Sequence, residues 1–189
     1  MIGFVMYDRN SSMVDKLILD INNALDAECY FAALMTALTL PDICGKAEYP
    51  NDGNGKRYKE WCKKYVTPHV KPSSPHGEDM PYLSDEVLYS LRNSLLHQGT
   101  PDIDIGKIKD VRCKVNKFAL IITDKGSIDG GTAKVSYGAN LAIREREQEI
   151  SIRHICSVLC REAKKYYDNN KKKFTFINYR IIDKREKFR

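Results

Sequence analysis

The run "VDKLILDINNALDAECYFAALMTALTLP", residues 14–41, constrains the fold more than any other stretch of the chain. Its first half sets Val14, Leu17, Ile18, Ile21 and Leu25 at the 3.6-residue period of an amphipathic helix, with Ser11 or Ser12 placed to cap it. Its second half stays helical in pattern and becomes almost wholly apolar. A helix apolar all round has to be enclosed by other elements. The longest apolar stretch, "CYFAALMTALTLP", is too short to span a bilayer, so no membrane is expected and the enclosure is protein. Pro41 reads as the stop of this helix, and Asp42 as a cap.

The enclosing elements follow along the chain. "PDICGKAEYPNDGNG" is turn-rich, and "RYKEWCKKYV", residues 57–66, is a short amphipathic helix carrying the only tryptophan, Trp61, as a packing residue. "TPHVKPSSPHGEDMP" has four prolines and reads as an irregular loop, which leaves His69 and His76 solvated. Ser84 caps the next helix, Asp85 and Glu86 favour its positive end, and Gly99 and Pro101 terminate it. Residues 110–143 turn β-like. "VRCKVNKFALIITD" and "AKVSYGANLAI", joined by "DKGSIDGGT", predict a β-hairpin. The "GSIDGG" in that turn lacks the lysine and spacing of a phosphate loop. From about Glu149 the helical period returns. Ile152, Ile155, Cys156, Leu159, Ala163 and Tyr166 share one face, and His154 faces away from it. The expected fold is one mainly-α domain over residues 1–189, a bundle of four or five helices with a β-hairpin at 110–143 before the last long helix.

Hydrophobic residues make up 42% and charged residues 30% of the chain, which excludes a disordered class. The N-terminus, "MIGFVMYDRN", has no signal-peptide pattern. The six cysteines are scattered without a CxxC pair, the expectation for reduced thiols in a cytoplasmic protein. Their spacings with histidine match no common zinc-ligand pattern, and nothing in the sequence asks for a metal or a cofactor.

The net charge is +6, and its distribution matters more than its size. Residues 161–189 carry eleven Lys/Arg against four Asp/Glu, so the remaining 160 residues sum to −1. The tail 171–189 holds Lys171, Lys172, Lys173 and Arg180. Tyr166, Tyr167, Phe174, Phe176, Tyr179 and Phe188 are interleaved with the basic residues. Cations for phosphates beside rings for bases suit single-stranded RNA. A solvated basic tail is the plainer alternative.

The stretch that carries chemistry is "LYSLRNSLLHQG", residues 88–99. On a helical wheel Val87, Leu88, Leu91 and Leu95 form a core stripe. Asp85, Glu86, Tyr89, Asn93 and His97 fall on one polar arc with Arg92 at its border, interrupted only by Leu96. His97 occupies the last turn, where the negative helix end favours its protonated form. An imidazole gives and takes protons, a guanidinium forks onto phosphate oxygens, and Asn93 can orient the ring or bind a ribose hydroxyl. These are the groups for metal-independent RNA cleavage by 2′-OH attack. The spacing alone recurs by chance about once in a chain of this composition, so its weight comes from the capped helix around it.

"LRNSLLHQG" resembles the HEPN (higher eukaryotes and prokaryotes nucleotide-binding) superfamily, whose motif is an arginine, often followed by asparagine, with a histidine four to six residues on. "YFAALMTALTLPDICG" and "NDGNGKRYKEWCKKYV" are similar to a bacterial HEPN-like branch, and the order of elements extends the resemblance over about residues 14–170. It implies an up-down helical bundle, often a homodimer meeting through the motif helix, here 84–97. It also implies endoribonuclease activity in toxin–antitoxin, phage-defence or RNA-processing systems, with an antitoxin protein as a partner. Other members are non-catalytic modules that bind RNA, a nucleotide or a protein. By the resemblance Arg92 and His97 are catalytic and Asn93 assists. Glu86 and Tyr89, on the same arc, are supporting candidates. Glu28 joins them as a carboxylate on a buried-looking helix in need of a partner, for which Arg92 is the obvious group. Arg92 and His97 lie about 140° apart on the wheel. One copy therefore looks awkward, and a two-fold axis would bring two copies to one phosphate.

Overall fold

The computed structural model describes residues 12–71, 79–127 and 130–177. The fold is mainly α, with helices α1 (Met13–Asp26), α2 (Tyr30–Ala37), α3 (Leu40–Glu48), α4 (Asn54–Tyr65), α5 (Thr67–Val70), α6 (Asp85–Gln98) and α7 (Ile152–Asn170). Three strands, β1 (Lys117–Ile121), β2 (Gly131–Tyr137) and β3 (Ile143–Ser151), complete it. Among the described residues no helix is long and apolar enough to cross a membrane.

The long helical run divides into three. Ser12 caps α1 by accepting the amide of Asp15 at 3.1 Å. The chain then breaks at Glu28, whose φ of 58° lies in the left-handed region few non-glycine residues enter. Pro41 does not stop a helix; it sits in the first turn of α3, where a missing N–H costs nothing. Part of the turn-rich stretch is therefore helical. Asp42 lies in that same first turn and caps nothing.

Trp61, Tyr58, Leu34, Leu38, Leu88, Leu91, Ile155 and Leu159 are fully buried in one core. α7 packs on α1, α2 and α3, and α6 on α4. α3 and α4 approach so closely at Gly45 that a Cβ there would lie 2.7 Å from the Arg57 carbonyl oxygen.

The expected β-hairpin at 110–143 is wrong. β1 does not pair with β2. The sheet order is β1-β3-β2: β1 runs parallel to β3 (Phe118 opposite Gln148), and β2 pairs antiparallel with β3 (Ala133 opposite Gln148). The hairpin turn is "GANLA", residues 138–142, closed by the Gly138 amide donating to the Ala142 carbonyl at 2.8 Å. β3 reads as a polar lead-in to the last helix because Glu145, Glu147 and Glu149 alternate along it. That period of two puts the three carboxylates on one face and Arg144, Arg146, Gln148 and Ile150 on the other. Lys117 of β1 binds both Glu145 and Glu147. The strand passes directly into α7 through Ser151, which caps the helix and lies 2.9 Å from the Thr123 hydroxyl.

Candidate active site

α6 forms as its sequence dictates. Ser84 accepts the Val87 amide at 3.2 Å, and Gly99 closes the far end in the left-handed conformation, φ 71°. Val87, Leu88, Leu91 and Leu95 are buried, and His97 is exposed in the last turn.

The polar arc is mostly covered. Glu86 accepts the backbone amides of Lys109 and Asp110, at 2.5 and 3.3 Å, so it holds a loop. Ser90 accepts the Asp104 amide at 2.7 Å. The Tyr89 ring packs against Tyr58 at 5.3 Å and presses its hydroxyl on Gly55, with the Lys59 ammonium 5.8 Å from the ring centre. What remains open is the C-terminal end of α6, where Arg92, Asn93 and His97 meet.

Arg92 and His97 are not awkward within one chain. The long Arg92 side chain bends along the helix until its Nη1 lies 3.0 Å from His97 Nε2 and donates to Asn93 Oδ1 at 3.1 Å. A guanidinium carries donors only, so Nε2 is the acceptor in this contact and the ring proton belongs on Nδ1.

The carboxylate behind Arg92 is Asp42, not Glu28. Asp42 Oδ2 accepts from Arg92 Nε and Nη2, each at 3.0 Å, while Glu28 is exposed at the α1–α2 break. Burial pushes the Asp42 carboxyl above its ordinary range, with Arg92, then Arg57 and His97, pulling the other way. Tyr58 lies in the field of the same pair. It is fully buried, its hydroxyl has no hydrogen-bond partner, and burial raises it far above its ordinary range. Asp42 lies 50 residues from Arg92 in sequence, and no local pattern points to it.

The other sequence candidates lie elsewhere. Lys171, Lys172 and Lys173 form a 3₁₀ turn with Phe174 after α7. Lys171 and Lys172 are exposed, while Lys173 binds Glu48 at 2.5 Å. Arg180 lies outside the described residues, as do His76, Tyr179 and Phe188. Tyr166 and Phe174 are buried against each other with Trp61 and Tyr65, so these rings are core and not a surface for bases. His154 is half-buried, and His69 lies 3.5 Å from Glu162. Among the described residues no three His, Cys, Asp or Glu side chains gather as a metal site.

Compared with protein-family models, with curated proteins and with solved structures, the chain matches none of them.

Proposed function

We propose that the chain is a HEPN-type endoribonuclease that cuts RNA without a metal, with Arg92 and His97 as its catalytic pair. The supporting observation is the single contact of Arg92 Nη1 with His97 Nε2, held from behind by Asp42. When the 2′-OH displaces the Arg92 N–H from His97 Nε2, that nitrogen takes the 2′-OH proton as the base. The 2′-oxygen attacks the adjacent phosphorus, leaving a 2′,3′-cyclic phosphate, and the 5′-oxygen departs with a proton. Arg92 balances the charge that builds on phosphorus, and Asn93 holds its Nη1 in place. One neutral imidazole supplies the base only. The acid is the His97 of a second copy, protonated and turned away from its own Arg92, and the C-terminal turn of α6 is the open part of that helix through which two copies would meet. Lys171 and Lys172 lend charge for RNA, and a toxin or phage-defence role with an antitoxin covering this turn belongs to the same proposal.

The test is incubation of mixed RNA in EDTA with wild type, Arg92→Ala and His97→Ala. The expected outcome is wild-type cleavage with 2′,3′-cyclic ends, lost in both variants. One observation favours a second reading, a non-catalytic module binding RNA, a nucleotide or a protein. Asp42 takes Arg92 Nε and Nη2, and Asn93 and His97 take Nη1, which leaves a single Nη2 N–H for phosphate. No cleavage by folded wild type, with RNA binding retained, selects that reading.

A further inference from the structure

With Asp42, Asn93 and His97 in place, Arg92 keeps one N–H of Nη2 for an incoming phosphate. A phosphodiester carries its charge on two non-bridging oxygens, so a site that cuts RNA calls for a second group of donors. The neighbouring helix α4 supplies one in Arg57.

The N-terminal half of α4 touches both helices of the site. Against α3, a Cβ on Gly45 would lie 2.7 Å from the Arg57 carbonyl oxygen, and Asp42 stands one turn before Gly45 on the same face. Against α6, the Tyr89 ring lies 5.3 Å from that of Tyr58, and the Tyr89 hydroxyl would meet a Cβ on Gly55 at 2.7 Å. Arg92 stands one turn after Tyr89. Glu48, at the end of α3, reaches Lys64 and Tyr65 at the end of α4, so Asp42 lies toward the start of α4. Side chains on a helix lean toward its start, which aims Arg57 at Asp42. Among the charges acting on the Asp42 carboxylate, that of Arg57 follows Arg92 and precedes His97.

The Arg57 side chain is held yet unpaired. Its Nε is sealed from solvent without a hydrogen-bond partner. Its Nη1 and Nη2 donate no hydrogen bond to any described residue, and neither is sealed. Enclosing the inner edge of a guanidinium fixes its plane and leaves the outer edge open. That edge is a fork of N–H groups that matches two oxygens of one phosphate. Of the other cations at this end of α4, Lys56 pairs with Asp52 at 2.8 Å and Lys59 lies 5.8 Å from the centre of the Tyr89 ring. Two guanidiniums around one carboxylate leave a single positive charge, which one phosphodiester neutralises.

We infer that Arg57 is the phosphate-binding residue of this site, its Nη1 and Nη2 forked onto the two non-bridging oxygens of the phosphate beside Arg92 and His97. The inference rests on the ribonuclease reading for the identity of the ligand as RNA. A phosphodiester is already charged on arrival, so Arg57 holds substrate and transition state alike, and the charge that builds during attack falls to Arg92.

The test compares wild type, Arg57→Ala and Arg57→Lys as full chains on two probes, a single-stranded RNA and the same sequence fully 2′-O-methylated, which cannot be cut. Arg57→Ala should raise KM for cleavage about tenfold and leave kcat within about twofold of wild type. It should weaken binding of the methylated RNA by the same factor, about tenfold. The slope of log Kd against log salt should fall by about 0.7, the share of one phosphate contact on a single strand. Arg57→Lys keeps the charge and loses the fork, so it should restore the salt slope and only part of the affinity. Circular dichroism and melting temperature check the fold of each variant. Folded Arg57→Ala that binds the methylated RNA as wild type does, or with an unchanged salt slope, overturns the assignment and leaves Arg57 a neighbour of Asp42 alone. If Arg57→Ala does not fold, Arg57→Lys carries the test, and full affinity without the fork overturns the assignment. A wild type that cuts RNA beside an Arg57→Ala with unchanged KM sinks this inference and keeps the ribonuclease reading. A wild type that binds the methylated RNA through Arg57 and cuts nothing does the reverse, and one that neither binds nor cuts overturns both.

Discussion

At the scale of single residues, Asp42 sets what Arg92 can do. A guanidinium on an exposed helix turn samples many rotamers, and the two hydrogen bonds to Asp42 Oδ2 select the one that aims Nη1 at Asn93 and His97. Asp42→Ala should therefore lower RNA cleavage about a hundredfold, the typical cost of misplacing a group by an ångström, with the fold retained by circular dichroism. If Asp42→Ala cuts RNA faster than wild type, the pair restrains Arg92 and does not aim it. Arg92, Asn93 and His97 were readable as candidates on one helix, but the bend of the Arg92 side chain that joins it to His97 across about 140° of the wheel was not. Asp42 was not, because its side chain reaches Arg92 only once α3 and α6 are both packed on α4. Glu28 failed as a partner for a local reason: the helix thought to bury it ends at Asp26, and the residue adopts a left-handed turn in solvent.

At the scale of elements, two junctions carry the architecture. Gly45 permits the close crossing of α3 on α4, so Gly45→Val should destabilise the chain by about 1–3 kcal/mol through overpacking, measured by urea denaturation. Ser151 ends β3 and caps α7 in one residue. Ser151→Ala should cost about 1 kcal/mol, and a loss near zero would mean that the cap carries no weight. Both junctions also explain the errors of sequence reading. Pro41 is the same residue whether it ends one helix or begins the next, and only the direction of the following chain decides. The hairpin was misplaced because turn chemistry at 124–132 is local, whereas the parallel pairing of β1 with β3 is not.

At the scale of the whole molecule, Glu48 ties three parts of the chain together. It accepts from Lys64 and Tyr65 at the end of α4, from Tyr166 of α7 and from Lys173 beyond it, at 2.7, 3.1, 2.8 and 2.5 Å. Burial alone would raise its carboxyl. The hydrogen bonds from Lys173, Lys64, Tyr166 and Tyr65 outweigh burial together and hold it down at about 2. A carboxylate depressed in the folded state stabilises the protein above the unfolded-state value, near 4.5, and that stabilisation is lost as pH falls toward 2. The melting temperature should therefore fall between about pH 5 and 2 in wild type. Glu48→Gln should melt lower at pH 7 and show a flatter decline in acid, and an unchanged decline would remove Glu48 as its cause. The network also decides the fate of the basic tail's first residues. Lys173 is drawn onto Glu48 and Phe174 into the core, while Lys171 and Lys172 face outward.

The sequence by itself determined the helical class, the caps at Ser12, Ser84 and Gly99, the core stripes of α1, α6 and α7, and the placing of Arg92, Asn93 and His97 on one helix. All of these follow from interactions within a few residues, which propensity and periodicity record. The tertiary structure alone decided the strand order, the covering of Glu86 and Tyr89, the burial of Tyr166 and Phe174, and the choice of Asp42 over Glu28. Each of these is a contact between distant segments, set by which surfaces the core brings together. An alternating strand such as β3 shows its face only when a neighbour pairs with it, and a carboxylate shows its role only when a guanidinium reaches it.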